Sequence, residues 1–185
     1  MNIVETPLPG VLRLEPKVFG DARGFFVETY RAEQFLQQAL EVRFVQDNQS
    51  RSRKGVLRGL HYQLTQPQGK LVRVSRGQVF DVAVDVRRGS PHFGQAYGCV
   101  LDDVAHHQLY IPPGFAHGFL VMSDEADFVY KCTDYYHPAS EAGIRFNDPA
   151  LAIDWPRLDV PFALSDKDRV LPMLADQSAL PAGPS

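Results

Sequence analysis

A chain of 185 residues with 44% hydrophobic and 22% charged side chains is long enough for one domain with a substantial core. Its 19 basic and 22 acidic residues leave a formal net charge of −3, so no global basic field recruits nucleic acid or an anionic membrane, although local anion sites stay open. The opening MNIVETPLPG has neither a basic start nor an apolar run of signal-peptide length, and no later stretch has the length of a bilayer span, so a cytoplasmic protein is expected. Cys99 and Cys132 make neither a disulfide framework nor a CxxC pattern, and buried reduced thiols are expected.

Glycines and prolines, fourteen of each, separate short β-rich runs along the chain. In order these are VLRLEP, GFFVETY, VRFVQDN, KLVRVSRGQVFDVAVDVRR, AYGCVLDD, HHQLYIPP, HGFLVMS and DFVYKCTDYY. Regular turn signals between such strands predict a sandwich or a barrel. Only RAEQFLQQAL reads as a helix, with Phe35, Leu36, Ala39 and Leu40 roughly on one side. Residues 176–185, DQSALPAGPS, are small and proline-rich and predict a mobile tail behind a single domain over 1–175.

The stretch VLRGLHYQ (56–63) crowds an arginine and a histidine into one short strand. Strict alternation sends Leu57, Gly59, His61 and Gln63 to one face and Val56, Arg58, Leu60 and Tyr62 to the other. His61 is then either a satisfied core histidine or a functional one, and Arg58 either snorkels to water or meets an anion. In YIPPGFAHGF two prolines and a glycine make a tight turn that delivers His117 into the next strand, where a closed barrel would let it share an interior with His61. Two histidines fall short of a first-row metal site. Gln63 stands where an HxH pair would need its second histidine, His106 and His107 would point to opposite faces of a strand, and His92 and His137 adjoin prolines. Metal-free acid–base chemistry is the better expectation.

In ADFVYKCTDYY, alternation groups Tyr130 with the core candidates Phe128 and Cys132, so its phenol is either a hydrogen-bonded core group or a proton donor. Lys70 of QGKLVRV lies in phase with Val72 and Val74, where burial without an anion is costly. LSDKDRVLP packs Asp166, Lys167, Asp168 and Arg169 between apolar residues, and by composition alone it is a solvated turn.

Taken in chain order, the segments VFGDARGFFVETY, FVQDNQSRSRKGVLRGLHYQ, QGKLVRVSRGQVFDVAVDVRRGSPHFG, IPPGFAHGF, FVYKCTDYYHP, EAGIRFNDP, IDWP and LSDKDR resemble the dTDP-4-dehydrorhamnose 3,5-epimerase family over nearly the whole chain. The resemblance implies an all-β, cupin-like jelly roll with a few short helices. It also implies a homodimer that exchanges its N-terminal segment and acts on a dTDP-4-keto-6-deoxyhexose in L-rhamnose biosynthesis, with no metal or organic cofactor. Position by position it assigns His61 as general base, Asp168 as its paired carboxylate, Tyr130 as the acid on the opposite ring face, and Lys70 and His117 as contacts near the reacting ketone. Arg58 corresponds to a substrate-binding arginine. Arg23, Glu28, Gln46, Asp47, Asn48, Glu141 and Lys167 correspond to further substrate contacts, some of them supplied by the other subunit. After GIR, where family members often carry tryptophan and an acid, this chain has Phe146 and Asn147, a departure that bears on the nucleotide end rather than on the reaction. A single-centre epimerase acting only at C3 or C5, a metal-dependent cupin oxygenase and a non-catalytic sugar-nucleotide-binding cupin are the competing expectations.

Overall fold

A computed structural model describes residues 1–37 and 41–183. Its strands are β1 (Asn2–Glu5), β2 (Leu12–Glu15), β3 (Val18–Asp21), β4 (Gly24–Val27), β5 (Gln46–Arg53), β6 (Leu57–Gln63), β7 (Lys70–Arg76), β8 (Gln78–Asp85), β9 (Ala96–Asp102), β10 (Gln108–Ile111), β11 (Phe115–Val121), β12 (Glu125–Cys132) and β13 (Glu141–Gly143). Two short helices, α1 (Ala32–Gln37) and α2 (Asp166–Arg169), join them, and no helix is long and apolar enough to cross a membrane among the described residues.

The strands pair antiparallel into a six-stranded sheet of order β1-β2-β10-β7-β12-β5, a five-stranded sheet of order β13-β6-β11-β8-β9, and a separate β3–β4 hairpin. The fold is the all-β cupin-like jelly roll, and alternation along the strands sorts its side chains into layers. Val72 and Val74 of β7, Phe128 of β12 and Leu109 of β10 meet Val79 and Ala83 of β8 and Phe115, Phe119 and Val121 of β11 in the core between the sheets. The opposite faces of β6, β8 and β11 present Leu60, Val82, Val84 and Ala116 outward, and Ile144, Leu151, Trp155 and Leu174 cover them. On the outer face of the larger sheet, Phe35 of α1 closes over Leu14, Leu71 and Tyr110.

Three local readings are corrected. Leu36 does not join Phe35 on the buried side of α1; it is 58% exposed, and Ala39 and Leu40 lie outside the described residues. The strand expected at VRFVQDN runs instead over the polar stretch QDNQSRSR, because β5 is a sheet edge that among the described residues pairs with β12 alone and needs little apolar content. His106 and His107 precede β10 rather than lying in it; His106 takes a positive φ of 54° and its ring packs 4.6 Å from that of Phe25.

Residues 176–183, expected to be mobile on composition, are held by named bonds. Gln177 accepts from the Tyr62 hydroxyl at 2.8 Å and donates to the Gly143 carbonyl at 2.9 Å, and the Pro181 carbonyl accepts from the Arg88 amide at 2.8 Å. A single polar side chain and a backbone carbonyl can dock a segment without a run of apolar residues, which is why composition misses such ties.

At the β6–β11 contact a Cβ on Gly59 would lie 2.6 Å from both the Gly118 Cα and the His117 carbonyl oxygen, and Gly59 has a φ of +109°. Gly59→Ala is therefore expected to destabilise the protein by about 2 kcal/mol or more, through the forbidden dihedral and the forced separation of two strands. Urea unfolding followed by circular dichroism measures this, and an unchanged midpoint would refute the close-approach argument.

Candidate active site

A cavity of about 450 Å³ opens between the two sheets, walled by β6, β7, β11, β12 and the segment leading into α2. Its key strand is β6. Arg58 pairs with Phe119 and His61 with His117, so Gly59 and Leu60 together stand opposite Gly118 alone. This one-residue bulge reverses the alternation, and Arg58 and His61 line the same cavity, where an unbroken strand would have set them on opposite faces. Arg58 donates to the Ser52 hydroxyl from Nη2 at 3.0 Å, and this aims the guanidinium along the cavity wall.

Asp168 reaches the same cavity from α2. Ser165 caps that turn by accepting from the Asp168 amide at 3.1 Å, and the turn leaves Asp166, Lys167 and Arg169 exposed while Asp168 is buried. Its Oδ1 lies 2.6 Å from His61 Nε2, so the carboxylate holds that nitrogen and leaves Nδ1 as the other ring nitrogen for a ligand. Burial pushes the Asp168 carboxyl up, but hydrogen bonds from His61, from Ser165 and from the Gly59 backbone outweigh it and hold the group below its usual value.

Tyr130 and Lys70 face the cavity from β12 and β7. Burial raises the Tyr130 phenol and keeps it protonated. Burial lowers the Lys70 ammonium against the opposing pull of nearby groups that include Asp81 and Glu141, and no ion pair holds it among the described residues. His117 also lines the cavity, its Nε2 2.9 Å from Oδ2 of the buried Asp81.

At the mouth, Glu141 joins Lys167 in an ion pair and accepts from the Tyr136 hydroxyl at 2.7 Å. On β5, Gln46 donates to Asn48 at 3.1 Å, while Asp47 pairs with Lys131 at 2.8 Å beside a second, polar groove. Arg23 and Glu28 are not brought to this cavity within one chain. Arg23 pairs with Asp21 at 2.5 Å on the β3–β4 hairpin, and Glu28 pairs with Arg31 at 2.5 Å. Phe146 packs with Trp155 and Phe162 beneath the segment that continues into Ala163, Leu164 and Ser165 of the cavity wall, and Asn147 is exposed.

Three contributing residues were not singled out by motif: Ser52, Ser165 and Asp81. For Asp81 a signal existed, since in VFDVAVD it falls in phase with Val79 and Ala83, an acid among inward-facing aliphatics. Among the described residues no three His, Cys, Asp or Glu side chains gather as metal ligands would. The cavity therefore offers a histidine–aspartate pair, a protonated phenol and a cation without an ion-pair partner, which together suit proton removal and return beside a developing oxyanion.

Comparison with known proteins agrees in kind. The family model for dTDP-4-dehydrorhamnose 3,5-epimerase matches residues 5–176. A Pseudomonas aeruginosa dTDP-4-dehydrorhamnose 3,5-epimerase is 53% identical over 182 residues, 98% of this chain and 100% of that protein. A Neisseria gonorrhoeae protein of the same name is 55% identical over 168 residues, 91% of this chain but 51% of its own length, so the chain spans about half of that relative. The crystal structure of a dTDP-6-deoxy-D-glucose-3,5-epimerase from Legionella pneumophila Philadelphia 1, in complex with dTDP-4-keto-L-rhamnose, superposes with a TM-score of 0.95 at 53% identity, covering 100% of this chain and 99% of that one.

The Asp168 pair has a consequence for stability. Because its carboxyl titrates below its unfolded value, the stabilisation is complete above about pH 4 and is lost as pH falls through the lower folded value. Asp168→Asn is expected to cost about 1–2 kcal/mol at pH 7, with the gap to the parent narrowing below about pH 4. Urea midpoints of both proteins across that range check it, and a gap independent of pH would contradict the assignment.

Proposed function

The chain belongs to the dTDP-4-dehydrorhamnose 3,5-epimerase family, and we propose that its cavity inverts C3 and C5 of dTDP-4-dehydro-6-deoxy-glucose by proton abstraction and return next to the C4 ketone. The observation that carries this is the convergence of the His61–Asp168 pair, Tyr130 and Lys70 on one cavity between the sheets.

The ketone acidifies the hydrogens on both neighbouring carbons, because either carbanion delocalises onto the same oxygen. His61 takes the carbon-bound proton at Nδ1, and Asp168 holds the opposite nitrogen and balances the imidazolium that forms. The electron pair moves onto the C4 oxygen, where the Lys70 ammonium stabilises the enolate in a site with few competing dipoles. Tyr130 then donates its phenolic proton to the opposite face of the carbon, which inverts it; the phenolate regains a proton from water and His61 releases its own. Electron count is unchanged, so the cycle needs no redox partner and no organic cofactor. Arg58 grips diphosphate oxygens, and Glu141, Lys167, Gln46, Asp47 and Asn48 frame the nucleotide end.

The β3–β4 hairpin supplies the remaining contacts from a second copy of the chain. Phe19, Phe25 and Phe26 are 53%, 61% and 67% exposed in the single chain, an apolar surface that a homodimer would cover while carrying Arg23 and Glu28 to the partner's cavity.

In heavy water, the purified protein with its dTDP-4-keto-6-deoxyglucose substrate is expected to place deuterium at both C3 and C5. Label at one carbon would establish the single-centre alternative, and bound ligand without label would establish a binding protein. His61→Asn is expected to lose exchange and inversion by about a hundredfold to ten-thousandfold. Tyr130→Phe should lose inversion more than exchange, because His61 can return a solvent-derived proton to the face it came from. A phenylalanine variant that inverts at the parental rate removes Tyr130 as the acid.

The dimer is tested separately. The parent is expected to sediment as a dimer, and Arg23→Ala to raise KM by roughly tenfold or more with kcat near the parent value, as for a contact made equally in ground and transition states. A monomeric active parent, or an unchanged KM, counts against the exchanged hairpin.

A further inference from the structure

The cavity holds a second histidine–aspartate pair, and it is built more deeply than the first. His117 and His61 are direct cross-strand partners in the β6–β11 register, and each ring has its own carboxylate. Asp168 stands on a helical turn at the cavity edge, whereas Asp81 projects from β8 into the core beside Val79 and Ala83 and is 0% exposed. Its Oδ2 meets His117 Nε2 at 2.9 Å, and its Oδ1 has no hydrogen-bond partner.

Packing alone does not account for such a group. An acid in an aliphatic layer with one oxygen unmet costs stability that an apolar residue of similar volume would not. An ionised carboxylate only accepts, so His117 must present Nε2–H to it, which leaves Nδ1 as the nitrogen available to a ligand. The ring is also clamped sideways: it stacks on Phe128 with centroids 5.9 Å apart and planes 22° apart, and Phe119 lies beyond at 6.5 Å. Orientation and tautomer are thus both set before any ligand arrives. When Nδ1 also carries a proton the ring is cationic, and in this dry setting Asp81 is the charge that balances it. Lys70 faces the same cavity, and the charge of Asp81 favours its protonated form.

We propose that Asp81 is a positioning residue for the epimerisation: by holding Nε2–H of His117 and compensating its charge, it makes Nδ1–H of that ring a hydrogen-bond donor to the C4 oxygen as the enolate forms. This rests on the epimerase reading above. The two pairs then divide the work, with one imidazole accepting the proton from carbon while the one opposite donates to the oxygen that receives the electron pair.

The test is a double-mutant cycle with a tautomer measurement on the parent. Asp81→Asn keeps the shape and removes the charge; it is expected to lower kcat by roughly a hundredfold to a thousandfold, the loss typical of one oxyanion donor. KM should stay within about threefold, since the interaction grows in the transition state. A purely structural Asp81 would instead change the urea midpoint and leave kcat of the folded protein unchanged, which overturns the proposal. Adding Asp81→Asn to His117→Asn should cause no further loss in kcat; a second, multiplicative loss would show that Asp81 acts through Lys70 or by itself, and also overturns it. Should Asp81→Asn fail to fold, ¹H–¹⁵N correlation of histidine-labelled parent protein decides: protons on both His117 ring nitrogens support the assignment, and a ring protonated at one nitrogen alone refutes it. A parent that exchanges no label from heavy water overturns the epimerase reading and this proposal with it. An active parent whose Asp81→Asn variant is equally active overturns only the latter.

Discussion

Strands β6 and β11 approach so closely at Gly59 and Gly118 that neither has room for a side chain there: a Cβ on Gly118 would lie 2.5 Å from the Arg58 carbonyl oxygen. That contact seats the extra residue of β6 against a single residue of β11. Everything at the candidate site inherits its geometry, because the bulge turns Arg58 and His61 into one cavity and sets His61 opposite His117. The same contact closes the outer layer, where Leu60, displaced by the bulge, packs with Ile144 and Val82 under the C-terminal segment.

The interior that results is mainly aliphatic and aromatic, and the charges inside it are handled in two ways. Asp168 and Asp81 each bond a histidine, which offsets part of the desolvation cost of burying a carboxylate. Lys70 receives no such partner among the described residues, and burial lowers its ammonium. A cation held in that condition gains most when negative charge appears beside it, the situation of an enolate in the proposed reaction. The asymmetry between paired acids and an unpaired base gives the cavity its chemical direction.

Outside the barrel, α1 covers one sheet and residues 144–174 the other. Among the described residues, the β3–β4 hairpin carries three exposed phenylalanines on a ribbon that makes its own small sheet. A two-stranded ribbon has marginal stability alone, so an exposed apolar one calls for a covering surface.

Much of this was legible along the chain, and for a local reason: alternation and turn chemistry act between neighbours. The runs around Lys70 and Tyr130 carried their inward phase in plain view, since Val72, Val74, Phe128 and Cys132 fix which face is buried. The ordered set of segments likewise sufficed to recognise the family and its all-β barrel. Where alternation is broken, local reading failed. Strict alternation puts Arg58 out of phase with His61, which a strand-end position or a bulge would reconcile; the structure has the bulge, a property of two strands and their register rather than of one. Asp168 sat in a run of charges indistinguishable from a solvated turn until Ser165 capped it and His61 met it across 107 residues. Asp81 stood in the sequence as one acid among valines, and its histidine lies 36 residues away. The sequence by itself determined most of the strands, the buried faces of those that alternate regularly and the chemical types available to the cavity, because those follow from periodicity and side-chain character. Only the tertiary structure decided which carboxylate serves which imidazole and which cation is left unpaired, because hydrogen bonds and desolvation depend on distances between residues far apart along the chain.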